Sequence, residues 1–139
     1  MTNQSFSGNE LVNLARDAAK NAHALYSRFR VGAVVVADGK IYTGANVEIS
    51  SYGLTLCAER SALAAAISSG ARSITQVAVS CIDADRSLND EQLMPCGACR
   101  QWLSDLAPEA VVIIDGLERS FMVSELLPLA FRINPRTVA

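Results

Sequence analysis

Phe29-Arg30-Val31-Gly32-Ala33-Val34-Val35-Val36-Ala37-Asp38-Gly39-Lys40-Ile41-Tyr42-Thr43-Gly44-Ala45-Asn46-Val47 sets the frame of the chain. Its first part, Phe29–Ala37, is valine-rich and of strand length, and it reads as a buried strand. Asp38-Gly39 is a strong hairpin signal. Lys40–Val47 is then the returning strand. Upstream, with Asn9 as N-cap, Leu11, Leu14, Ala15, Ala18, Ala22, Leu25 and Tyr26 recur at helical spacing, which predicts a helix from about residue 9 to 26. Downstream, Cys57–Ser69 is alanine-rich and ends at Gly70, so it reads as a helix with a glycine C-cap. Ile74–Cys81 is a third strand, and Ile82–Met94 a polar, charged loop. Cys96–Leu106 is a helix that stops before Pro108. Val111–Asp115 is a fourth strand, with Gly116 in a turn. Arg119–Val123 is a short fifth strand, and Ser124–Phe131 holds a helical turn around Leu126, Leu127 and Pro128. Helices interspersed with short strands predict an α/β layer fold, with helices covering a mixed sheet. No repeat or linker divides the chain, so residues 1–139 are read as one domain.

Composition narrows the function. Of the 139 residues, 50% are hydrophobic and 19% charged, which excludes a disordered chain. A net charge of -2 advertises no basic patch, so neither nucleic acid nor anionic lipid is an expected partner. Met1–Glu10 carries no basic-then-apolar targeting pattern, and the runs Val31–Ala37 and Ala62–Ile67 are too short to span a bilayer. A cytoplasmic protein is the expectation. In that compartment four cysteines are more often metal ligands, catalytic groups or core residues than disulfides. The single histidine, His23, excludes zinc sites built on two or three histidines. It lies in no motif and reads as a surface residue of the first helix.

Two segments carry chemistry: Thr55-Leu56-Cys57-Ala58-Glu59-Arg60 and Pro95-Cys96-Gly97-Ala98-Cys99-Arg100. Each opens a predicted helix. Cys96 and Cys99 share one face of a first turn, and the positive end of a helix favours thiolate over thiol. Two helix starts can therefore aim three thiolates at one point. Three protein ligands leave a fourth zinc position open, the mark of a catalytic rather than a structural site. Glu59, two residues from Cys57, is the natural proton shuttle beside that opening. Cys-x-Glu followed by Pro-Cys-x-x-Cys is a signature already described for zinc deaminases of nucleobases. Cys81 ends a predicted strand and reads as a small core residue, although it is the one cysteine left to close a structural four-thiolate site.

Longer stretches carry a wider likeness. Tyr26–Ala33, Gly44–Glu48, Ser51–Arg60, Pro95–Gln101 and Glu125–Pro128 follow one another as they do in the small, homotetrameric class of cytidine deaminases, which the chain resembles over about residues 10 to 131. The resemblance implies a three-layer α/β/α sandwich around a mixed sheet of about five strands. It implies one zinc ion per subunit on Cys57, Cys96 and Cys99, with Glu59 as acid and base. Asn46 and Glu48 match the pair that holds the sugar hydroxyls, and Phe29 an aromatic that packs on the pyrimidine. Ala58, Ser50 and Tyr52 fall where the family contributes further substrate contacts, the last two across subunits. Phe131 matches a residue that reaches a neighbouring subunit's site, and Arg60 one that donates to a ligand sulfur. The implied reaction converts cytidine and 2′-deoxycytidine to uridine and 2′-deoxyuridine with release of ammonia, in pyrimidine salvage. A homotetramer with shared active sites is implied too, and the nearly all-apolar Leu63–Ile67 helix is expected to offer an exposed face for it. Three features depart from the family: Ile49 stands where Asn is frequent, Leu25 replaces a frequent Pro, and the Asp83–Met94 loop is longer and more charged than usual. Other readings are a deaminase of a modified nucleoside or nucleoside antibiotic, a nucleic-acid deaminase, and a structural zinc module.

Overall fold

Asp38-Gly39 joins β1 (Val31–Ala37) to β2 (Lys40–Ala45) as an antiparallel hairpin in which Ala37 faces Lys40 and Gly32 faces Ala45. Both turn residues take positive φ, 51° and 77°, as the tight turn demands. The structure is a computed structural model that describes residues 5–133. β1 also pairs antiparallel with β3 (Ile74–Cys81), which runs parallel to β4 (Val111–Ile114); β4 in turn pairs antiparallel with β5 (Phe121–Met122). The sheet is thus mixed, in the order β2-β1-β3-β4-β5.

Side chains of β1 alternate between two cores, because successive residues of a strand point to opposite faces. Val34 and Val36, with Ala78, pack under Leu11 and Ala15 of α1 (Gly8–Ala19). Ala33, Val35 and Ala37 face the larger core, with Ala62, Leu63 and Ala66 of α2 (Ala58–Ser68) and Leu103 of α3 (Gly97–Leu106). Val123 and Leu126 of α4 (Val123–Leu126) join the same core. One helix on one face and three on the other make the expected α/β/α sandwich. Among the described residues no helix is long and apolar enough to cross a membrane.

Two glycines let the helices seat closely. A Cβ on Gly32 would lie 1.9 Å from the Ala15 carbonyl oxygen of α1, and one on Gly44 would lie 2.4 Å from the Ala62 amide nitrogen of α2. Neither neighbour is a side chain that can swing away. Gly44→Ala therefore forces α2 off the sheet, and we expect a loss of about 1–3 kcal/mol in urea unfolding, the usual scale of overpacking. Unchanged stability would contradict the close seating.

Several boundaries differ from the sequence reading. α1 starts two residues earlier, with Ser7 rather than Asn9 as N-cap, its hydroxyl accepting from the Glu10 N–H. It ends at Ala19, not near residue 26. Beyond it the chain is claimed by long-range bonds: the His23 N–H donates to the Asn46 carbonyl and the Glu48 N–H to the His23 carbonyl. Leu25 and Tyr26, which kept the helical period, are 64% and 53% exposed. His23 is exposed, as expected, but on this bridge and not on a helix. β1 lacks Phe29 and Arg30, β2 stops at Ala45, β4 at Ile114, and β5 keeps two residues. Cys57 and Cys96 are N-caps that precede their helices. The expected exposed face at Leu63–Ile67 is partly met: Leu63 and Ala66 have no exposure, while Ala64, Ala65 and Ile67 reach the outside. There Ala64 and Ile67 border a groove with Trp102 and Leu106 of α3.

Candidate active site

β1 begins where β3 ends, with Val31 opposite Cys81, and both α2 and α3 start at that end of the sheet. Their N-caps, Cys57 and Cys96, hold extended backbone (φ -71°, ψ 155° and φ -68°, ψ 169°), which turns each side chain back over its helix start. Cys99 follows in the first turn of α3 and is fully buried. The Sγ atoms of Cys57 and Cys96 lie 3.8 Å apart, those of Cys96 and Cys99 3.5 Å, and all three within 4.8 Å of one another. Three sulfurs bound tetrahedrally at the usual Zn–S length would be separated by about 3.8 Å. The donor set therefore fits zinc in kind and in spacing. All four cysteines are free thiols.

Charge is arranged around these sulfurs. The Cys99 thiol and the Arg60 guanidinium donate to Cys57 and hold it well below the ordinary thiol range, while Cys99, as donor, is pushed up. Arg60 Nη2 lies 3.2 Å from Cys57 Sγ and 3.3 Å from the Thr55 carbonyl oxygen, and its Nε is buried without a partner. Its positive charge offsets the single excess negative charge of three thiolates around a divalent ion. Glu59, in the first turn of α2, is 4% exposed, and burial pushes its carboxyl up to about 7. Cys81 is buried at the floor of the same cavity, with its thiol toward the Leu93 carbonyl oxygen at 3.9 Å; burial drives it up to about 12. It stands apart from the three-sulfur cluster.

The cavity beside the cluster has a volume of about 390 Å³. Phe29, Asn46, Glu48, Tyr52, Ala58 and Glu59 line it, together with Cys57 and Cys96. Asn46 and Glu48 also build its wall. Asn46 Oδ1 accepts from the Val31 N–H at 2.8 Å, and its Nδ2 donates to the Phe29 carbonyl at 2.8 Å. Glu48 Oε1 accepts from the Tyr26 and Ser27 N–H groups at 3.0 Å each, and Oε2 from the Ser27 hydroxyl. The Ser27 hydroxyl and N–H hold the Glu48 carboxyl below the usual carboxylate range. An amide and a carboxylate each keep hydrogen-bonding capacity beyond these partners. His23 contributes from behind, with Nδ1 2.8 Å from the Glu48 carbonyl oxygen. Val47 bridges Leu56 on the other side, so the segment leading to Cys57 is tied to the same strip.

Two expected residues stay outside this cavity. Ser50 is exposed and bonds its hydroxyl to the Tyr26 hydroxyl at 2.9 Å, next to the edge-on Tyr26–Tyr52 ring pair. Phe131 is 71% exposed, and its carbonyl accepts from the Gln101 side chain. Conversely, Ser27, Thr55, Gln92 and Met94 line the cavity without having been singled out in the sequence. Met94 carried a usable signal, since it directly precedes Pro95-Cys96, with Gln92 two residues before it.

Three converging thiols, a buried carboxyl within two residues of one of them, and an adjoining cavity on an α/β/α sandwich define a metal-dependent hydrolytic centre. Residues 7–115 match the cytidine and deoxycytidylate deaminase zinc-binding region, and the chain belongs to that family. It is 44% identical over 126 residues to the cytidine deaminase of Halalkalibacterium halodurans, covering 87% of this chain and 91% of that one. It is 41% identical to a probable cytidine deaminase of Dictyostelium discoideum, covering 86% and 80%. The crystal structure of cytidine deaminase from Burkholderia pseudomallei is similar with a TM-score of 0.80 and 38% identity, over 91% of this chain and all of that one.

Proposed function

We propose that this protein is a zinc-dependent hydrolase that deaminates cytidine and 2′-deoxycytidine. The observation that carries the reading is the triple of sulfurs at zinc spacing beside the buried Glu59. Cys57, Cys96 and Cys99 hold the ion. When bound, zinc supplies a Lewis acid that makes water a nucleophile near neutral pH.

The chain's own groups handle protons and orientation. Water adds to C4 of the cytosine ring while the Glu59 carboxylate takes its proton and delivers it to ring N3. Glu59 then carries a second proton to the departing amine, so C4–NH2 and water become C4=O and ammonia. Such transfers contribute about 10²–10⁴-fold. Phe29 and Ala58 bound the ring, and Asn46 and Glu48 hold the sugar hydroxyls through their remaining lone pairs and N–H. Arg60 balances charge at the thiolates through its contact with Cys57.

The family likeness supports a role in pyrimidine salvage in the cytoplasm, and a homotetramer. Tyr52 lines the cavity and is half exposed, while Ser50 and Phe131 are exposed and line no part of it, which leaves all three free to meet a neighbouring subunit. The apolar groove along α2 and α3 suits the same assembly. Steady-state turnover of cytidine, 2′-deoxycytidine, free cytosine and a single-stranded oligonucleotide tests the substrate class. The two nucleosides should react and the other two should not; turnover of the oligonucleotide alone would overturn the reading. Light scattering at micromolar concentration should give four chains per particle, and a monomer would refute the assembly.

A further inference from the structure

Gln92 and Met94 form one wall of the cavity, at the end of the polar loop that follows β3. Leu93, between them, is fixed from both sides: it is 1% exposed, and its carbonyl faces the Cys81 thiol on the cavity floor. Met94 lies two residues before Cys96, which ties this wall to the reacting end of the cavity. Asn46 and Glu48, the sugar end, belong instead to the bonded strip with Tyr26 to Val31. Met94 shares the cavity lining with Cys57 and Cys96, so it stands where it can flank a ring seated beside the sulfurs.

The loop is anchored outside the cavity. The Arg30 side chain grips Asp83 through Nε and Nη2 at 2.8 and 2.9 Å. Gln92 donates through Nε2 to the Asp85 carbonyl at 2.6 Å, which closes the loop on itself. Arg86 Nη2 reaches Asp115 Oδ2 at 3.1 Å. Asp115 is 4% exposed and remains tied without Arg86: Arg16 makes two bonds to it at 2.8 Å, and the Ser80 hydroxyl one at 2.7 Å. Arg16, with Ser80 and Arg86, holds its carboxyl down to about 2, so the anchor stays charged throughout neutral pH. The Gly116 turn completes the seat, since a Cβ there would lie 3.0 Å from Arg86 Nη1 and 3.3 Å from Leu93 Cδ1. Arg86 and Leu93 thus rest on one support.

We propose that Met94 is a specificity-determining residue that limits substituents on the pyrimidine ring, and that Arg86, docked on Asp115, is a positioning residue that holds the Gln92–Met94 wall against the substrate. The proposal rests on the deaminase reading above. The test uses zinc-loaded full-length protein with cytidine and 5-methylcytidine, on wild type, Met94→Ala, Arg86→Ala and Arg86→Lys. Trimming Met94 makes room for a methyl group, and kcat/KM for 5-methylcytidine relative to cytidine should rise about 10-fold. Arg86→Ala should raise KM for cytidine about two- to fivefold, the scale of one half-exposed ion pair, with a smaller change in kcat; Arg86→Lys should recover most of it. Thermal unfolding of each variant separates the roles. A lowered midpoint with KM and the substrate ratio both unchanged would reduce the loop to a structural element and overturn the proposal. So would an unchanged ratio in Met94→Ala. Wild type that releases no ammonia from cytidine would instead overturn the deaminase reading, and the wall with it.

Discussion

Glu59→Gln is expected to lower turnover of cytidine by at least about 10³-fold while zinc stays bound at one ion per chain. The size follows from one group serving two proton transfers, each of which contributes about 10²–10⁴-fold. The substitution is nearly isosteric, and the site is closed around it: Glu59 is 4% exposed on a helix whose N-cap is Cys57. Gln fills the same space and leaves the three sulfurs untouched. It cannot take a proton from water. Steady-state kinetics beside zinc analysis of the same preparation checks this. Full activity with bound zinc would remove Glu59 from the mechanism, and loss of zinc together with activity would make it a structural support of the metal site.

Cys99→Ser is expected to weaken zinc binding by more than about 100-fold and to abolish turnover in proportion to the metal lost. Losing a single supporting partner of a metal ligand already costs about 10–100-fold, and Cys99 itself is one of the converging sulfurs. It is fully buried in the first turn of α3, 3.5 Å from Cys96. The fold should survive, because β1, β3 and the two cores lie outside the cluster. Competition with a chromogenic chelator reads the affinity, and circular dichroism reads the fold. Unchanged affinity would displace the metal from this cluster. Cys81→Ser is the matched control: its sulfur faces the Leu93 carbonyl, and the variant should keep its zinc.

The parts of this molecule that were legible from sequence are those governed by local chemistry. Ile74–Cys81 matches the observed strand residue for residue, because its β-branched residues Ile74, Thr75, Val77 and Val79 favour extended backbone and Val77–Cys81 is buried on both faces. The two cysteine motifs were legible because their spacing and helix-start position carry the chemistry themselves. The first helix was overextended because Ala22, Leu25 and Tyr26 keep its period, while the bonds that stop it come from Asn46 and Glu48, more than twenty residues away. The double duty of Asn46 and Glu48 was hidden for the same reason. Their partners, the amides and carbonyls of Tyr26 to Val31, are set by tertiary structure alone. Asp115 and Arg86 carry no local signal either: each looks like an ordinary surface charge until the loop is folded onto the turn after β4.

The claim that three thiolates and Glu59 form one zinc-dependent deaminating centre is tested most directly by titrating zinc into metal-free protein while counting ammonia and uridine released from cytidine. The account predicts the two products in equal amounts, at a rate that rises in proportion to zinc and levels off at one ion per chain. Product formation independent of zinc, or no ammonia from a protein that has taken up its full zinc, would contradict it.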